Sequence, residues 1–518
     1  MKLKQLNMNW FSLLFLLIAS FIIMTFLSTS SPLYLVNPSP DANIMMTVGK
    51  GFWHGLMPYH DLFDNRGPLI YLFYSLVALV NYHSFTLVFI LEALWLFIDL
   101  ILGFKILRHF MRSTIAYPLT FFIVPLMFNE FFFQHGDTPE SMVIPFLLAM
   151  IYQLIKHPDF HFSRLAIFSQ GLFVGIAFWI KYTFLIPWFG IGLVIALTYL
   201  FKKQFQSLFR LLGWGGLGYA IVTVPILVLY NVHHILFEML DVYFMFNLKY
   251  YNRSNFDLMQ LIQLPQVDPV ARWVEIMVLI TIIMIAIIPK LNWRTKAALE
   301  IGLILETISI ITVKVTATYY YTLMAVFSIF ILVGIGILFQ KILPNMVIEN
   351  PFLPCLLIVL SACATLLMNQ NYRYSRLFPH NPLYSLDHRA TEPYQMRFAK
   401  VIDRSKDRSL LVYKNIDVSL YTKLGTLPNN KYFVKNNLNY QPMIKSQAKQ
   451  LKSLKNNFVL TIQPTKPQTP ATRRLVRDLA NNKTLRTHYH LVDTTKALKF
   501  TSATNLYDVQ YDLYQRNQ

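Results

Sequence analysis

Apolar runs long enough to cross a bilayer recur over roughly the first 370 residues of this 518-residue chain. Lipid leaves backbone N–H and C=O groups nothing to bond with except the chain itself, so such runs must be helices. The composition agrees: 55% hydrophobic, 15% aromatic and only 14% charged. The expected fold class is therefore an all-α polytopic membrane domain, residues 1–368, followed by a small extracytoplasmic α+β domain, residues 369–518.

Eleven spans are expected, at about 10–27, 85–104, 115–133, 139–154, 165–180, 183–201, 211–230, 273–288, 297–311, 319–339 and 352–367. Lys2 and Lys4 place the N-terminus in the cytoplasm, and the first run reads as an uncleaved helix. The apolar stretch 68–80 is too short to cross at about 1.5 Å per residue and reads as a membrane-embedded half-helix. With that assignment Lys105, Arg108 and Arg112; Lys156 and Arg164; Lys202, Lys203 and Arg210; Lys290, Arg294 and Lys296; and Lys341 all fall on the cytoplasmic side. The C-terminal domain then lies outside. The net charge of +20 thus orients a multi-pass protein of the cell membrane and attracts membrane lipid, and no nucleic-acid module accompanies it.

The C-terminal domain is expected to hold strands in SLLVYKN, NKYFVKN, NFVLTI and YDLYQ and helices in QPMIKSQAKQLKSL and TPATRRLVRDLANN. Cys355 and Cys363 share one apolar run and read as packing residues without a disulfide framework. The segment HILFEMLDVYFMFNLKYY mixes aromatic and charged residues as an interfacial helix does.

Polar chemistry gathers on the external side. The loop 28–84 contains NPSPDANIMMTVGKGFWHGLMPYHDLFDNRGPL, dense in Gly, Pro and ionisable groups; loops this long without regular structure are usually functional. Asp41, on a Pro-flanked backbone, can be a general base toward a hydroxyl acceptor or an N-cap of the helix that follows. Asp61 and Asp64 are turn residues or partners of Arg66. Lys50 and Tyr59 are further binding candidates. A second external cluster, QHGDTPES, carries His135, Asp137 and Glu140; it has too few ligands for a metal site by itself, and Pro139–Glu140 also reads as a helix start. Lys181, interrupting an apolar run, and Lys314, preceding Tyr319, Tyr320 and Tyr321, are cations that can face a phosphate or snorkel to the surface.

The string G-K-G-F-W-H-G-L-M-P-Y-H-D-L-F-D-N-R-G-P-L-I-Y, following an early span and an acid, resembles the first external loop of GT-C glycosyltransferases. The likeness is to the branch of protein O-mannosyltransferases and lipid A aminoarabinose transferases. T-P-E-S, I-K-Y-T and Y-Y-Y-T resemble later landmarks in the same order. The resemblance implies transfer of a sugar from a polyprenyl-phosphate donor to an envelope glycan, lipid or protein by a single inverting displacement, usually without a nucleotide-sugar site; no cofactor is expected, and a divalent metal is not indicated. Asp41 would be the base, Asp137 or Glu140 the second acid, and Lys181 and Lys314 phosphate contacts. Two departures are Gly67, where a Lys often precedes the Pro, with Arg66 as the nearest charge, and the lack of a second acid beside Asp41. Competing readings are a transporter or flippase, which calls for repeated halves absent here, and an inactive scaffold, which would tolerate Asp41→Asn.

Overall fold

The computed structural model describes residues 9–250, 269–311, 317–342, 352–387, 390–435, 440–467, 469–500 and 506–517. The chain opens with α1 (Trp10–Leu27), α2 (Pro40–Trp53), α3 (Pro68–Asn81) and α4 (Thr86–Phe110). Three short pieces follow, α5 (Ser113–Thr120), α6 (Ile123–Met127) and α7 (Glu130–Phe133). Then come α8 (Ile144–Lys156), α9 (Arg164–Ile180), α10 (Ile186–Phe201) and α11 (Phe205–Val232). Further helices cover Pro269–Ile287, Trp293–Ile311, Ile329–Ile342 and Phe352–Met368. Lys314 and much of the 233–272 connection lie outside the described residues.

Among the described residues, five helical stretches are long and apolar enough to cross a membrane: Trp10–Leu27, Thr86–Phe110, Tyr182–Phe201, Phe205–Val232 and Thr318–Ile342. The protein is a multi-pass membrane protein. Pro68–Asn81, Ser141–Lys156, Arg164–Ile180 and Phe352–Met368 are apolar but shorter, so five clear spans stand where eleven were expected. The run expected to span 115–133 is instead broken into α5, α6 and α7. Pro125 has no N–H to give the Phe121 carbonyl and crowds it, which accounts for the break between α5 and α6; Pro118 sits inside α5, and Asn129 starts α7 afresh by accepting from the N–H groups of Phe131 and Phe132.

The chain divides into two compact units. The first comprises 1–27, 89–225 and 253–370. Its helices meet through glycine. A Cβ on Gly171 would lie 2.0 Å from the Gly215 carbonyl, and one on Gly218 would lie 2.2 Å from that of Phe168. Backbone therefore touches backbone where α9 crosses α11, the close approach that small residues allow between membrane helices. Gly190 and Gly302 do the same for α10 and Trp293–Ile311, where a Gly190 Cβ would be 2.8 Å from the Gly302 Cα. Both cysteines are exposed on Phe352–Met368 rather than packed inside.

The second unit comprises 28–88, 226–252 and 371–518. Here α2 and α3 form a tight hairpin, because a Cβ on Gly49 would sit 2.4 Å from that of Tyr74. The segment 236–250 is helical throughout, with a π-helical turn at Asp241–Phe246. A four-stranded sheet has the order β1-β2-β4-β3, with β1 (Leu410–Tyr413), β2 (Phe458–Pro464), β3 (Tyr489–Phe500) and β4 (Leu506–Arg516). β1 runs parallel to β2, and the other two pairings are antiparallel. Leu411, Tyr413, Val459 and Tyr489 form its core with Leu451, Leu479 and Leu485 from flanking helices.

Three expected strands and both helices form, but residues 430–435 of NKYFVKN make turns, because Phe433 and Val434 bury against the domain without a ladder partner. β3 was not expected: its polar YHLVDTTKALKF is an edge strand held by eleven paired positions along β4.

Gly218→Val is expected to cost about 3 kcal/mol or more, because backbone cannot yield as a side chain does. Gly216→Val, where a Cβ meets nothing within 4 Å, is expected to be near neutral. Thermal unfolding in detergent compares the two, and equal midpoints would disprove the packing argument.

Candidate functional site

Within the second unit the loop carries a clamp built on Arg66. Ser39, not Asp41, caps α2: its hydroxyl accepts from the Ala42 N–H at 3.3 Å, and Pro40 takes the first helical position. Asp41 thus falls in the first turn with its carboxylate directed elsewhere. One guanidinium nitrogen of Arg66 lies 2.5 Å from Asp41 Oδ1 and the other 2.6 Å from Asp64 Oδ2. The Tyr71 hydroxyl also donates to Asp64 Oδ2 at 2.9 Å. Asp64 is fully buried, whereas Asp41 is 30% exposed. The cluster therefore presents one accessible carboxylate, oriented by an arginine that a buried carboxylate holds.

The remaining loop candidates brace this clamp. Tyr59 is buried at φ 72° and donates its hydroxyl to the Arg66 carbonyl at 2.7 Å. Asp61 Oδ2 accepts the Met57 N–H at 2.7 Å, closing a turn. Asn65 and Asn247 exchange hydrogen bonds, Asn65 donating its side-chain amide at 2.6 Å. Glu238 accepts from Lys431 at 2.7 Å and pairs with His60 at 2.8 Å. Burial pushes Glu238 up, but those two partners outweigh it and hold the carboxyl below its usual value.

Lys50 is fully buried, and its amine donates to the carbonyls of Tyr421, at 3.1 Å, and Thr426. Burial pushes its pKa down to about 7. A neutral amine has two N–H groups, matching the two carbonyls it meets. In this structure Lys50 is a structural tie rather than an open substrate contact.

The first unit carries a separate cluster. Lys181 ends α9, and its Nζ lies 2.7 Å from Glu140 Oε1 and 3.5 Å from the centre of the Tyr320 ring. Glu140 does not cap the turn it precedes; its buried carboxylate faces the lysine instead. Three residues from distant stretches of sequence, Glu140, Lys181 and Tyr320, are thus brought together. Gln134 donates to Thr318 at 3.2 Å, and the Thr322 hydroxyl to the Phe132 carbonyl at 2.9 Å, tying the Tyr320 turn to the acidic loop. His135 and Asp137 are buried in that loop.

Two acids in this unit went unnoticed in the sequence. Glu92 on α4 accepts the Asp137 N–H at 2.6 Å. Glu306, on Trp293–Ile311, is buried within electrostatic reach of Lys181 and Glu140, and its Oε2 has no hydrogen-bond partner among the described residues. An acid inside an apolar run was the available signal for both. Among the described residues no three His, Cys, Asp or Glu side chains cluster as a metal site.

No protein-family model and no curated protein matches the chain. Solved structures do. ArnT from Cupriavidus metallidurans bound to undecaprenyl phosphate aligns with a TM-score of 0.56 at 11% identity, covering 96% of this chain and 97% of that one. The same protein in the apo state gives 0.54 at 12% identity, with the same coverage. The chain shares the fold of this ArnT. The apo oligosaccharyltransferase of Archaeoglobus fulgidus also matches, at a TM-score of 0.48 and 12% identity over 88% of this chain and 70% of its own.

The clamp and the buried lysine of the second unit can both be tested by stability. Arg66→Met leaves Asp64 buried and unpaired and is expected to cost about 3 kcal/mol in detergent unfolding. Adding Asp64→Asn should recover most of that loss; no recovery would mean that Arg66 acts through packing. For Lys50, between about pH 7 and 10.5 the unfolded chain holds a proton that the folded chain has lost. Stability therefore rises with pH through that window, by about 1.4 kcal/mol per unit from this group, and is flat below it. Lys50→Met is expected to remove that slope, and an identical slope in variant and wild type would exclude Lys50 as its source.

Proposed function

We propose that this chain is a glycosyltransferase that moves a sugar from a polyprenyl-phosphate donor to a cell-envelope acceptor (glycan, lipid or protein) on the extracytoplasmic face. Asp41 is its general base. The observation that carries this reading is the clamp: one accessible carboxylate, held by a forked arginine, on the first loop of a chain that shares the fold of ArnT. The structurally similar ArnT was solved with undecaprenyl phosphate, which supports a lipid phosphate as the donor's carrier.

In the reaction the acceptor hydroxyl gives its proton to Asp41 as its oxygen attacks the anomeric carbon. The bond from that carbon to the phosphate oxygen breaks, and polyprenyl phosphate leaves with the electron pair. General-base assistance of this kind contributes about 10²–10⁴-fold. Arg66 acts by position: its planar fork sets the Asp41 carboxylate at a fixed angle to Asp64. Lys181 is proposed as a phosphate contact and Glu140 as the acid that orients it, their pairing and the Tyr320 ring supporting those roles. Asp137 is retained as a further candidate acid. With an N-terminus in the cytoplasm, the domain 369–518 would lie outside and carry an accessory role.

The test is transfer of labelled sugar from polyprenyl-phosphate donors by purified protein. Asp41→Asn is expected to fold in detergent and to lower transfer about 10²-fold or more, while Lys181→Met/Glu140→Gln lowers it as well, the second change removing the buried charge that Lys181→Met alone would strand. Equal transfer by Asp41→Asn and wild type would move the base elsewhere. No transfer by wild type across several sugars would favour a transporter or flippase.

A further inference from the structure

The start of α11 and the start of α9 enclose an open cleft of about 300 Å³ that takes no part in the chemistry above. Arg164, Phe209, Arg210, Gly213, Trp214 and Leu217 line it. Its origin is the glycine crossing: α9 and α11 touch backbone to backbone at Gly171, Gly215 and Gly218, and toward their N-terminal ends larger side chains take over. Gly213 keeps part of the wall flat, since a Cβ there meets nothing within 4 Å.

The cleft has two chemically distinct parts. Arg164 and Arg210 are exposed guanidinium groups, and among the described residues neither pairs with a carboxylate. The Arg164 guanidinium instead rests 5.8 Å from the centre of the Trp214 ring. Lys202 and Lys203, exposed on the turn before α11, add two positive charges and no acid. Beside this cationic end, Phe209 is 71% exposed and Leu217 is 49% exposed, on a helix whose apolar window is only 11% buried. Paired arginines favour a phosphate, which accepts two parallel N–H bonds from each fork. An exposed aromatic and aliphatic wall favours hydrocarbon.

We propose that this cleft is a binding site for an anionic phospholipid, its phosphate held between Arg164 and Arg210 and the upper part of its acyl chains lying along Phe209, Trp214 and Leu217. A soluble phosphate would leave the apolar wall bare. A zwitterionic lipid would bring a second cation toward Lys202 and Lys203, which disfavours it.

The experiment uses the full chain, delipidated in detergent and then incubated with phosphatidylglycerol, with phosphatidylcholine, or with phosphatidylglycerol plus excess glycerol 3-phosphate. Lipid retained per protein after repurification is counted by mass spectrometry. Wild type is expected to retain phosphatidylglycerol several-fold over phosphatidylcholine, with glycerol 3-phosphate displacing little of it. Arg164→Gln/Arg210→Gln is expected to lower retention to the phosphatidylcholine level. Gly213→Leu, which fills the cleft and leaves every charge in place, is expected to do the same. Both variants should unfold at the wild-type temperature without lipid; should either unfold early, the other decides. Equal retention of the two lipids, unchanged retention in the variants, or full displacement by glycerol 3-phosphate would each overturn the proposal, the last by making the site one for free phosphate.

Discussion

The loop of the second unit depends on a single guanidinium. Asp64 is fully buried, and a carboxylate without water must be paired or protonated. Arg66 pairs it, and because guanidinium is planar the second fork then points in one direction, where Asp41 lies. Tyr71 and Tyr59 close the arrangement, one donating to Asp64 and the other to the arginine's own carbonyl. A carboxylate on the first turn of a helix would otherwise sample several rotamers. Here its position follows from a charge that has no other way to be satisfied.

The Lys181 cluster solves the same electrostatic problem, a buried carboxylate, but leaves the cation rather than a second carboxylate facing solvent. Glu140 is almost fully buried and Lys181 about one-third exposed, so the cation is the member that meets solvent. The Tyr320 ring beneath the ammonium supplies a weak negative face without supplying a second full charge. A lysine so placed keeps capacity for an anion, whereas one forked between two carboxylates, as Arg66 is, has spent it. That difference supports separate roles for the two cations: Arg66 positions, and Lys181 receives.

The helical regions were legible because hydropathy is a long-range sum, insensitive to any one residue, and the observed helices begin and end within a few residues of most expected spans. The break before Pro125 was readable from proline chemistry but hidden within an otherwise apolar run. The pairing of Asp64 with Arg66 was legible because two residues separate them. Arg66 reaching back to Asp41 was not, because that contact depends on the α2–α3 hairpin, closed by Gly49 against Tyr74. The cap on α2 was in fact readable: in S-P-D the proline claims the first helical position, which leaves Ser39 as the cap. Glu92 and Glu306 lie within apolar helices, away from the polar loops, and an acid in such a run is itself a signal. β3 carries too many polar residues to look like a strand, since only its pairing with β4 makes it one.

Left-handed backbone occurs in both clusters. Outside glycine, left-handed backbone is uncommon and strained. Yet Tyr59 sits at φ 72°, below the Arg66 clamp, and Gln134 and Asp137 at φ 49° and 58°, in the loop that carries Glu140. Such strain persists only where surrounding contacts over-determine it. The contacts are present: Tyr59 bonds Arg66, Asp137 donates its N–H to Glu92, and Gln134 bonds Thr318. A stability-driven sequence would place glycine or asparagine at these turns. Asp tolerates this region better than most residues, and at Tyr59 and Gln134 the side chain makes a contact that glycine would lack. Each of these turns carries or braces one of the two cationic centres on which the proposed chemistry rests.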